Sequence, residues 1–386
     1  MLSTFEIRNF RTFSHLPIQR FGRVNLIVGR NCVGKTALLE ALWLYAARMR
    51  PGALHQLLWE RQELVAEVDS ESQDFEVDVR ALFHGRTYLP ESQNQITLGP
   101  IDSPESRIGL RLSYVERELS SEPAPPTYVE IRDEGTGSPE GEVFPALVVS
   151  VGGQEQYLVR RYESWFRSLR RFPMRGPESL PPFLRAETVD EDMIGHWWDS
   201  VSLRESEARV VAYLNVLAPV ERINLIGSPR RRSSRVFMVR LRGEKNPQPL
   251  KSLGDGVERM FRTAVAIEYA RRSIETSQLD LLPTPAFSRE LAGNILLVDE
   301  VESGIHYTAI AKYWEMIFAL AHELDVQVFA TTHSWDCVLG FQHAVAQTEP
   351  NEGFLIRLEK KDDKCRAVVF NREELSIVTR ENIEVR

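Results

Sequence analysis

The sequence predicts an α/β protein in which helices flank a central sheet, and three stretches carry this prediction. Val24 to Val28 form a short apolar run that leads into a glycine-containing segment, and residues 37–49 continue with their apolar side chains on one helical face. Two further apolar runs, at residues 294–300 and 326–334, are typical of strands buried on both faces of a parallel sheet. A strand, loop and helix followed by two such strands favours the α/β class.

The segment between the first strand and its helix fits the phosphate-binding pattern G-x-x-x-x-G-K-[ST]. In this pattern backbone N–H groups surround nucleotide phosphates, a lysine reaches the β and γ phosphates, and a hydroxyl holds Mg²⁺. The helix that follows directs its positive N-terminal end at the anion. The loop therefore predicts ATP and Mg²⁺ as ligands of Gly29, Arg30, Asn31, Cys32, Val33, Gly34, Lys35 and Thr36.

Composition restricts the class of protein. The 386 residues suggest two or three structural units, and the net charge of −8 argues against a surface that coats nucleic acid as a whole. Cys32, Cys337 and Cys365 are far apart, which indicates neither a disulfide framework nor a zinc site. Charges interrupt the N-terminus, and no run is long enough to span a bilayer. We therefore expect a cytoplasmic protein with no membrane partner.

The remaining patterns divide the chain into an N-terminal part at residues 1–85, an inserted module at 86–225 and a C-terminal part at 226–386. Proline and glycine punctuate the middle part, which predicts short strands and turns followed by helices. The predicted elements outside the three main stretches are strands at Thr4 to Phe10, Ile108 to Val115, Tyr128 to Ile131 and Ala146 to Val151, and helices at Gln156 to Arg171 and Asp190 to Leu217.

The two later apolar runs end in residues suited to nucleotide chemistry. Asp299 at a strand end suits the Mg²⁺ shell, and Glu300 beside it is placed to orient or deprotonate an attacking water. At the end of the other run, His333 is a candidate hydrogen-bond donor to a γ phosphate, and Thr331 and Thr332 are candidates to hold a water or the metal shell. Lys35, Glu300 and His333 are thus the predicted catalytic residues, with Thr36 and Asp299 at the metal.

Two arginine-rich segments are candidate nucleic-acid contacts. Arg160 to Arg175 interleaves arginine with aromatic residues, and Arg230 to Lys245 is a second basic stretch. Arginine recognises phosphate well and aromatic rings stack on bases. A solvated face, or pairing with the many acidic residues, remains the alternative interpretation of both segments.

The order of these motifs resembles the ABC-type ATPase head shared by the Rad50, SMC, RecF and OLD families. The resemblance covers residues 1–50 and 245–345, and it is strongest to stand-alone OLD-like bacterial ATPases. It is carried by the phosphate loop, by Leu253-Gly254-Asp255-Gly256 before a helix, by Asp299 to His306, and by Ala330 to Ser334. It implies a P-loop ABC-ATPase head with a mixed central sheet, plus an inserted strand-and-helix module.

The resemblance also implies partners. In such families two heads enclose two nucleotides, so a homodimer or higher homo-oligomer is expected, with Gly254 and Gly256 contacting the γ phosphate held by the other copy. Glycine suits a close approach of backbone to phosphate. The usual signature serine aligns with Gly254, and Ser252 lies two residues earlier. Relatives without a Toprim nuclease domain imply a separately encoded effector, a Toprim-type or similar nuclease or a toxin, in defence against phage.

The hypothesis is therefore Mg²⁺-dependent ATP hydrolysis used as a conformational switch. Two alternatives stay open. One is a RecF-like DNA-repair ATPase that binds DNA through the arginine segments, and the other is a scaffold that binds ATP only to dimerise. The presence of Glu300 argues against the scaffold.

Overall fold

The computed structural model describes residues 1–66, 75–86, 95–117, 128–131, 142–152, 154–159, 180–186, 191–227, 235–276, 294–362 and 364–385. The strands are β1 (Phe5–Phe10), β2 (Phe13–Ile18), β3 (Val24–Gly29), β4 (Leu64–Ala66), β5 (Phe75–Val77), β6 (Ile96–Gly99), β7 (Ile108–Arg117), β8 (Tyr128–Ile131), β9 (Glu142–Val151), β10 (Gln154–Val159), β11 (Phe183–Leu184), β12 (Val220–Gly227), β13 (Arg235–Leu241), β14 (Gln248–Pro249), β15 (Ile295–Val298), β16 (Gln327–Thr331), β17 (Gly353–Lys361) and β18 (Lys364–Phe370).

The helices are α1 (Lys35–Ala46), α2 (Pro51–Glu60), α3 (Glu191–Val201), α4 (Glu205–Leu214), α5 (Asp255–Thr276), α6 (Tyr307–Glu323), α7 (Trp335–Ala346) and α8 (Arg372–Arg380). Short 3₁₀ turns cover Val79–Leu82, His84–Arg86, Pro104–Ser106 and Leu250–Leu253. Within these described ranges no helix combines the length and apolar character needed to cross a bilayer.

The central sheet is mixed, as the resemblance to ABC-type heads implied. Its strand order is β11-β15-β16-β3-β17-β18. β3 is parallel to both β16 and β17, β15 is parallel to β16 and β11, and β18 closes the sheet antiparallel to β17. The predicted buried strands are β3, β15 and β16, and every residue of each is buried. Their carboxyl ends lie at one edge of the sheet, where Gly29, Asp299 and Thr332 are found.

A second, antiparallel sheet begins at the N-terminus and continues into the middle of the chain. Its order is β10-β9-β7-β6-β1-β2, and β8 pairs with β7. The strands predicted at Thr4 to Phe10, Ile108 to Val115, Tyr128 to Ile131 and Ala146 to Val151 are confirmed as β1, β7, β8 and β9. Because β6 pairs with β1, residues of the expected inserted module extend a sheet that the first strand starts.

Helix α1 lies between the two sheets. It contacts β15 and β16 of the central sheet and β6 of the antiparallel sheet. All residues from Ala37 to Ala46 are therefore buried. The sequence predicted a helix over residues 37–49 with one apolar face, and this was wrong in two respects. The helix ends at Ala46, and it is covered on all sides because two layers enclose it.

The opposite face of the central sheet is covered by the later helices. Helix α5 packs against α3, α4, α6 and β15, and its residues from Met260 to Ala270 contribute much of a core that includes Trp198 and Trp314. The helical prediction for Asp190 to Leu217 corresponds to α3 and α4, which are separated by a turn at Ser202 to Arg204. In this layer α5 is held against β15.

One other sequence expectation differs from the structure. Residues 156–159 were expected in a helix but belong to β10, which pairs with β9 through Gln156 opposite Val149. Residues 160–171 of that prediction lie outside the described residues. The predicted boundary between residues 225 and 226 falls within β12, which pairs with β13, and the division into domains stays a prediction.

Candidate functional site

The phosphate loop has the backbone that its sequence pattern requires. The φ angles of Gly29, Cys32 and Gly34 are 145°, 60° and 109°. In the second half of the loop, residues with positive φ therefore alternate with residues with negative φ. Such alternation turns consecutive N–H groups toward a common concavity that accepts an anion. A Cβ on Gly34 would lie 2.6 Å from the Phe13 ring and from Thr12, so glycine is needed because the back of the loop packs on β2.

Lys35 starts α1 and is buried. Its ammonium donates hydrogen bonds to the carbonyl oxygens of Gly29 at 2.7 Å and Arg30 at 3.1 Å, which folds the side chain back along the loop. Burial lowers the pKa of this ammonium, and the nearby carboxylates, Asp299 first, act in the opposite direction. A desolvated cation held inside a ring of backbone groups favours a strong interaction with a phosphate.

The predicted metal residues lie side by side. The Thr36 hydroxyl donates to Oδ2 of Asp299 at 3.0 Å, although the two residues come from opposite ends of the sequence. The Thr331 hydroxyl, from the end of β16, donates to the other carboxylate oxygen of Asp299 and accepts from the Glu300 N–H at 2.9 Å. The first turn of α1 and the ends of β15 and β16 thus meet at the Asp299 carboxylate, and Thr331 contacts Asp299 directly.

Glu300 and His333 face each other at the edge of this cluster. The His333 ring nitrogen Nε2 lies 3.9 Å from the Glu300 carboxylate, and Nδ1 lies 3.4 Å from the Lys35 ammonium. The side chains of Glu300 and His333 are 47% and 41% exposed, so water reaches both groups. The backbone N–H of His333 donates to the Glu302 carboxylate at 2.9 Å, which fixes the backbone that carries the imidazole.

Thr332, the residue before His333, is buried. Its backbone N–H donates to the Ile27 carbonyl, and its hydroxyl accepts from the Ser334 backbone N–H.

Gly254 and Gly256 lie elsewhere. Gly254 has a φ of 93°, ends the 3₁₀ turn before α5, and would have open space around a Cβ atom. Within the described ranges no hydrogen bond joins either glycine to the phosphate loop. Gly256 instead faces the loop after Glu300, since a Cβ there would lie 3.5 Å from the Gly304 carbonyl. These two glycines are therefore separate from the cluster around Lys35.

Where the predicted nucleic-acid segments are described, two arginines pair with carboxylates, while Arg242 and Lys245 are exposed. Arg235 forms a bidentate pair with Asp199, and Arg240 forms one with Glu221. The segment Arg160 to Arg175, and Arg230 to Arg232, lie outside the described residues. For Arg235 and Arg240 the acidic-pairing interpretation is the one that the contacts favour.

One residue at the site was not anticipated. Arg259, in α5, is buried and donates from Nη2 to the carbonyl oxygens of both Asp299 and Glu300. The sequence offered no signal for it beyond its position one helical turn after the Gly254 segment.

The residues of this cluster lie in a segment that matches a known protein family. A family model described as "AAA domain, putative AbiEii toxin, Type IV TA system" (AAA_21) matches residues 24–336, which include every residue of the cluster described above. The chain belongs to the AAA_21 family. Its fold is accordingly a P-loop ATPase head of the ABC, SMC and RecF type, and the resemblance to that group is confirmed. The closer likeness to stand-alone OLD-like ATPases stays a prediction.

Two curated relatives align with very different shares of this AAA_21 protein. A "DNA replication and repair protein RecF" of Idiomarina loihiensis is 34% identical over 90 residues, which are 23% of this chain and 25% of that protein. An "ATP/GTP phosphatase" of Helicobacter pylori is 21% identical over 352 residues, which are 88% of this chain and 86% of that protein. The RecF match thus spans only a quarter of its relative, whereas the phosphatase match spans most of both chains.

Among solved structures, an SMC head bound to the C-winged helix domain of ScpA aligns with the AAA_21 chain at a TM-score of 0.45 and 10% identity, and covers 96% of this chain and 98% of that one. An SMC head domain from Thermotoga maritima aligns at a TM-score of 0.40 and 13% identity, and covers 96% of this chain and 98% of that one.

Proposed function

We propose that this protein hydrolyses ATP in a Mg²⁺-dependent reaction and uses the cycle as a conformational switch. The observation that carries the proposal is the convergence of Lys35, Thr36, Asp299 and Glu300 at one edge of the central sheet. A phosphate-binding lysine, a hydroxyl and carboxylate pair suited to a metal, and a water-accessible glutamate are the components that hydrolysis of a phosphoanhydride needs.

The donor set fits Mg²⁺. The Thr36 hydroxyl oxygen and the Asp299 carboxylate oxygen lie 3.0 Å apart, and both are hard oxygen ligands of the kind that Mg²⁺ prefers. When bound, the ion would neutralise charge on the β and γ phosphates. Thr331 holds the second oxygen of Asp299 and so orients the carboxylate toward Thr36.

The remaining roles follow from exposure and position. Lys35 binds the phosphates, and the N–H groups of residues 29–36 surround them. Glu300 accepts the proton of the attacking water, because its carboxylate is about half exposed and lies directly after Asp299. His333 lies near both Lys35 and Glu300 and donates to the γ phosphate, while Thr332 holds the turn that carries it.

We infer that two copies act together. Gly254 and Asp255 are exposed at the start of α5, and a methyl group placed on the Gly254 Cα would have no neighbour within 4 Å. An exposed helix N-terminus that follows a glycine, which has no side chain, is suited to approach a phosphate held by a second copy. This supports the expected homodimer or higher oligomer in which Gly254 and Gly256 contact the partner's nucleotide.

We infer further that the switch controls a separately encoded effector, a nuclease or a toxin, in defence against phage. The family description, which names a toxin system, supports this direction. Co-purification of the chain with the products of neighbouring genes tests it, and recovery of no nuclease or toxin would count against it.

The experiment that tests the switch is steady-state ATP turnover by the purified chain, with and without double-stranded DNA. We expect slow turnover that changes by less than about twofold on addition of DNA, because Arg235 and Arg240 are already paired with carboxylates. Strong stimulation that falls steeply with salt would instead favour the RecF-like alternative.

Cys32 offers an independent test of where the nucleotide binds. Its thiol is exposed in the phosphate loop, whereas Cys337 is buried and has its pKa raised to about 12 by that burial. Burial also raises the pKa of the Cys365 thiol. Since the thiolate is the reactive form, iodoacetamide should modify Cys32 first, and ATP with Mg²⁺ should slow that modification. Mass spectrometry of the labelled peptides measures both effects, and labelling of Cys32 that ATP leaves unchanged would place the nucleotide elsewhere.

A further inference from the structure

Arg259 is a buried guanidinium that pairs with no carboxylate among the described residues. It is 5% exposed in the first turns of α5. Buried arginines are rare and are normally paired, because an isolated charge in the interior is costly. The groups that the Arg259 guanidinium contacts must therefore compensate for the loss of water around its charge.

Its hydrogen bonds go to two successive backbone carbonyls. Nη2 donates to the Asp299 carbonyl at 2.8 Å and to the Glu300 carbonyl at 3.0 Å. The Tyr313 hydroxyl, itself 2.6 Å from the Thr263 hydroxyl, lies near the guanidinium; burial raises the pKa of Tyr313, and the guanidinium charge has a smaller, lowering effect. Within the part of the chain that the structure describes, Nε is buried and has no hydrogen-bond partner. The side chain is therefore directed at the turn that follows β15 rather than at a counter-ion.

That turn has an unfavourable backbone. Glu300 has a φ of 46°, in the left-handed region that residues with a Cβ rarely adopt. Thr331 holds the turn from one side, through its hydroxyl to the Glu300 N–H and its carbonyl to the Val301 N–H. Arg259 holds it from the other side, since one cation that donates to two successive carbonyls keeps both directed into the protein. The carboxylates of Asp299 and Glu300 then project away from α5 and into the site.

We propose that Arg259 is a positioning residue that connects the start of α5 to Glu300. Arg259 follows Asp255 by one helical turn, and Gly304, beyond Glu300, packs on Asp255, so the helix start and the catalytic turn contact each other at two points. A displacement at Gly254 to Gly256, where we expect the second copy to contact, passes through Arg259 to the Asp299–Glu300 peptide. This inference rests on the proposed ATP hydrolysis, and it adds the link by which contact between copies sets the hydrolytic rate.

The test uses Arg259→Lys in the 386-residue chain, because lysine keeps the charge but its nitrogen ends one bond short of Nη2, the atom that donates to both carbonyls. We expect ATP affinity to stay within about threefold and kcat to fall by about 10- to 100-fold, the size of effect that a misplaced catalytic group produces. Arg262→Lys is the matched control, since Arg262 is on the same helix and pairs with Glu258 instead. It should leave kcat within about twofold.

A double-variant cycle separates positioning from general structural support. If Arg259 acts through Glu300, then Arg259→Lys added to Glu300→Gln slows turnover no further, whereas independent effects multiply. Tyr313→Phe, which removes only the hydroxyl beside the guanidinium, should lower kcat in the same direction by a smaller factor, and it serves if Arg259→Lys fails to fold. Unchanged kcat in Arg259→Lys, or multiplied effects in the cycle, would overturn the proposal. Absence of turnover in the wild-type chain would instead overturn the proposed function and this inference with it.

Discussion

Lys35→Ala should weaken ATP binding by about 100-fold or more, the effect expected when a charged hydrogen-bond donor to phosphate is lost from a buried site. The ammonium is the cation at the base of the phosphate loop, and its two hydrogen bonds to the Gly29 and Arg30 carbonyls hold it inside the loop. Its loss leaves those carbonyls at the site without the cation that a phosphate needs. Isothermal titration with a slowly hydrolysed ATP analogue measures the change.

Lys361→Ala is the control for this variant. Lys361 is exposed at the end of β17, in the hairpin with β18, where its cross-strand partner is Lys364. We expect the ATP affinity of Lys361→Ala to equal that of the wild-type chain. Should Lys35→Ala bind ATP within about threefold of wild type, the assignment of residues 29–36 as the phosphate site would fail.

Glu300→Gln should reduce turnover by about 10² to 10⁴-fold, the range that a general base contributes. Binding should persist, because Lys35, Thr36 and Asp299 are untouched and the amide has the shape of the carboxylate it replaces. The variant is therefore expected to hold ATP with Mg²⁺ and to accumulate in the ATP-bound oligomer. Rapid-quench measurement of phosphate release, with light scattering in parallel, follows both properties.

Glu315→Gln is the matched control for the catalytic variant. Glu315 is a glutamate on α6 whose side chain is 45% exposed, close to the 47% of Glu300, and its neighbour is likewise a histidine. Its turnover should match that of the wild-type chain. Equal loss of ATP binding in Lys35→Ala and Glu300→Gln would show that Glu300 supports the nucleotide rather than the attacking water.

Much of the site was predictable because its residues follow buried strands. The apolar runs ending at Val298 and Thr331 have the continuous hydrophobicity of strands covered on both faces, and parallel strands place their carboxyl ends together. Asp299, Glu300 and His333 could therefore be placed beside Lys35 before any coordinates. The mixed sheet, by contrast, was implied by the resemblance to ABC-type heads, because the residue patterns indicate only the parallel strands.

Other features depend on contacts that a linear pattern does not contain. Alternation in β7 and β9 indicates strands but not that β6 would join them to β1 in one sheet. The apolar side chains of α1 were expected on one face because nothing local showed that a second sheet covers the other. Arg259 was missed for the same reason, since its partners are backbone carbonyls, which every residue carries.

The most direct test of ATP hydrolysis at this site is release of γ phosphate from ATP in a single turnover, with the chain in excess over nucleotide. We expect release with Mg²⁺ that stops on chelation, retained binding without release in Glu300→Gln, and neither binding nor release in Lys35→Ala. ATP that stays intact on the wild-type chain in the presence of Mg²⁺, while remaining bound to residues 29–36, would contradict the proposed hydrolysis and favour a scaffold that uses ATP only to dimerise.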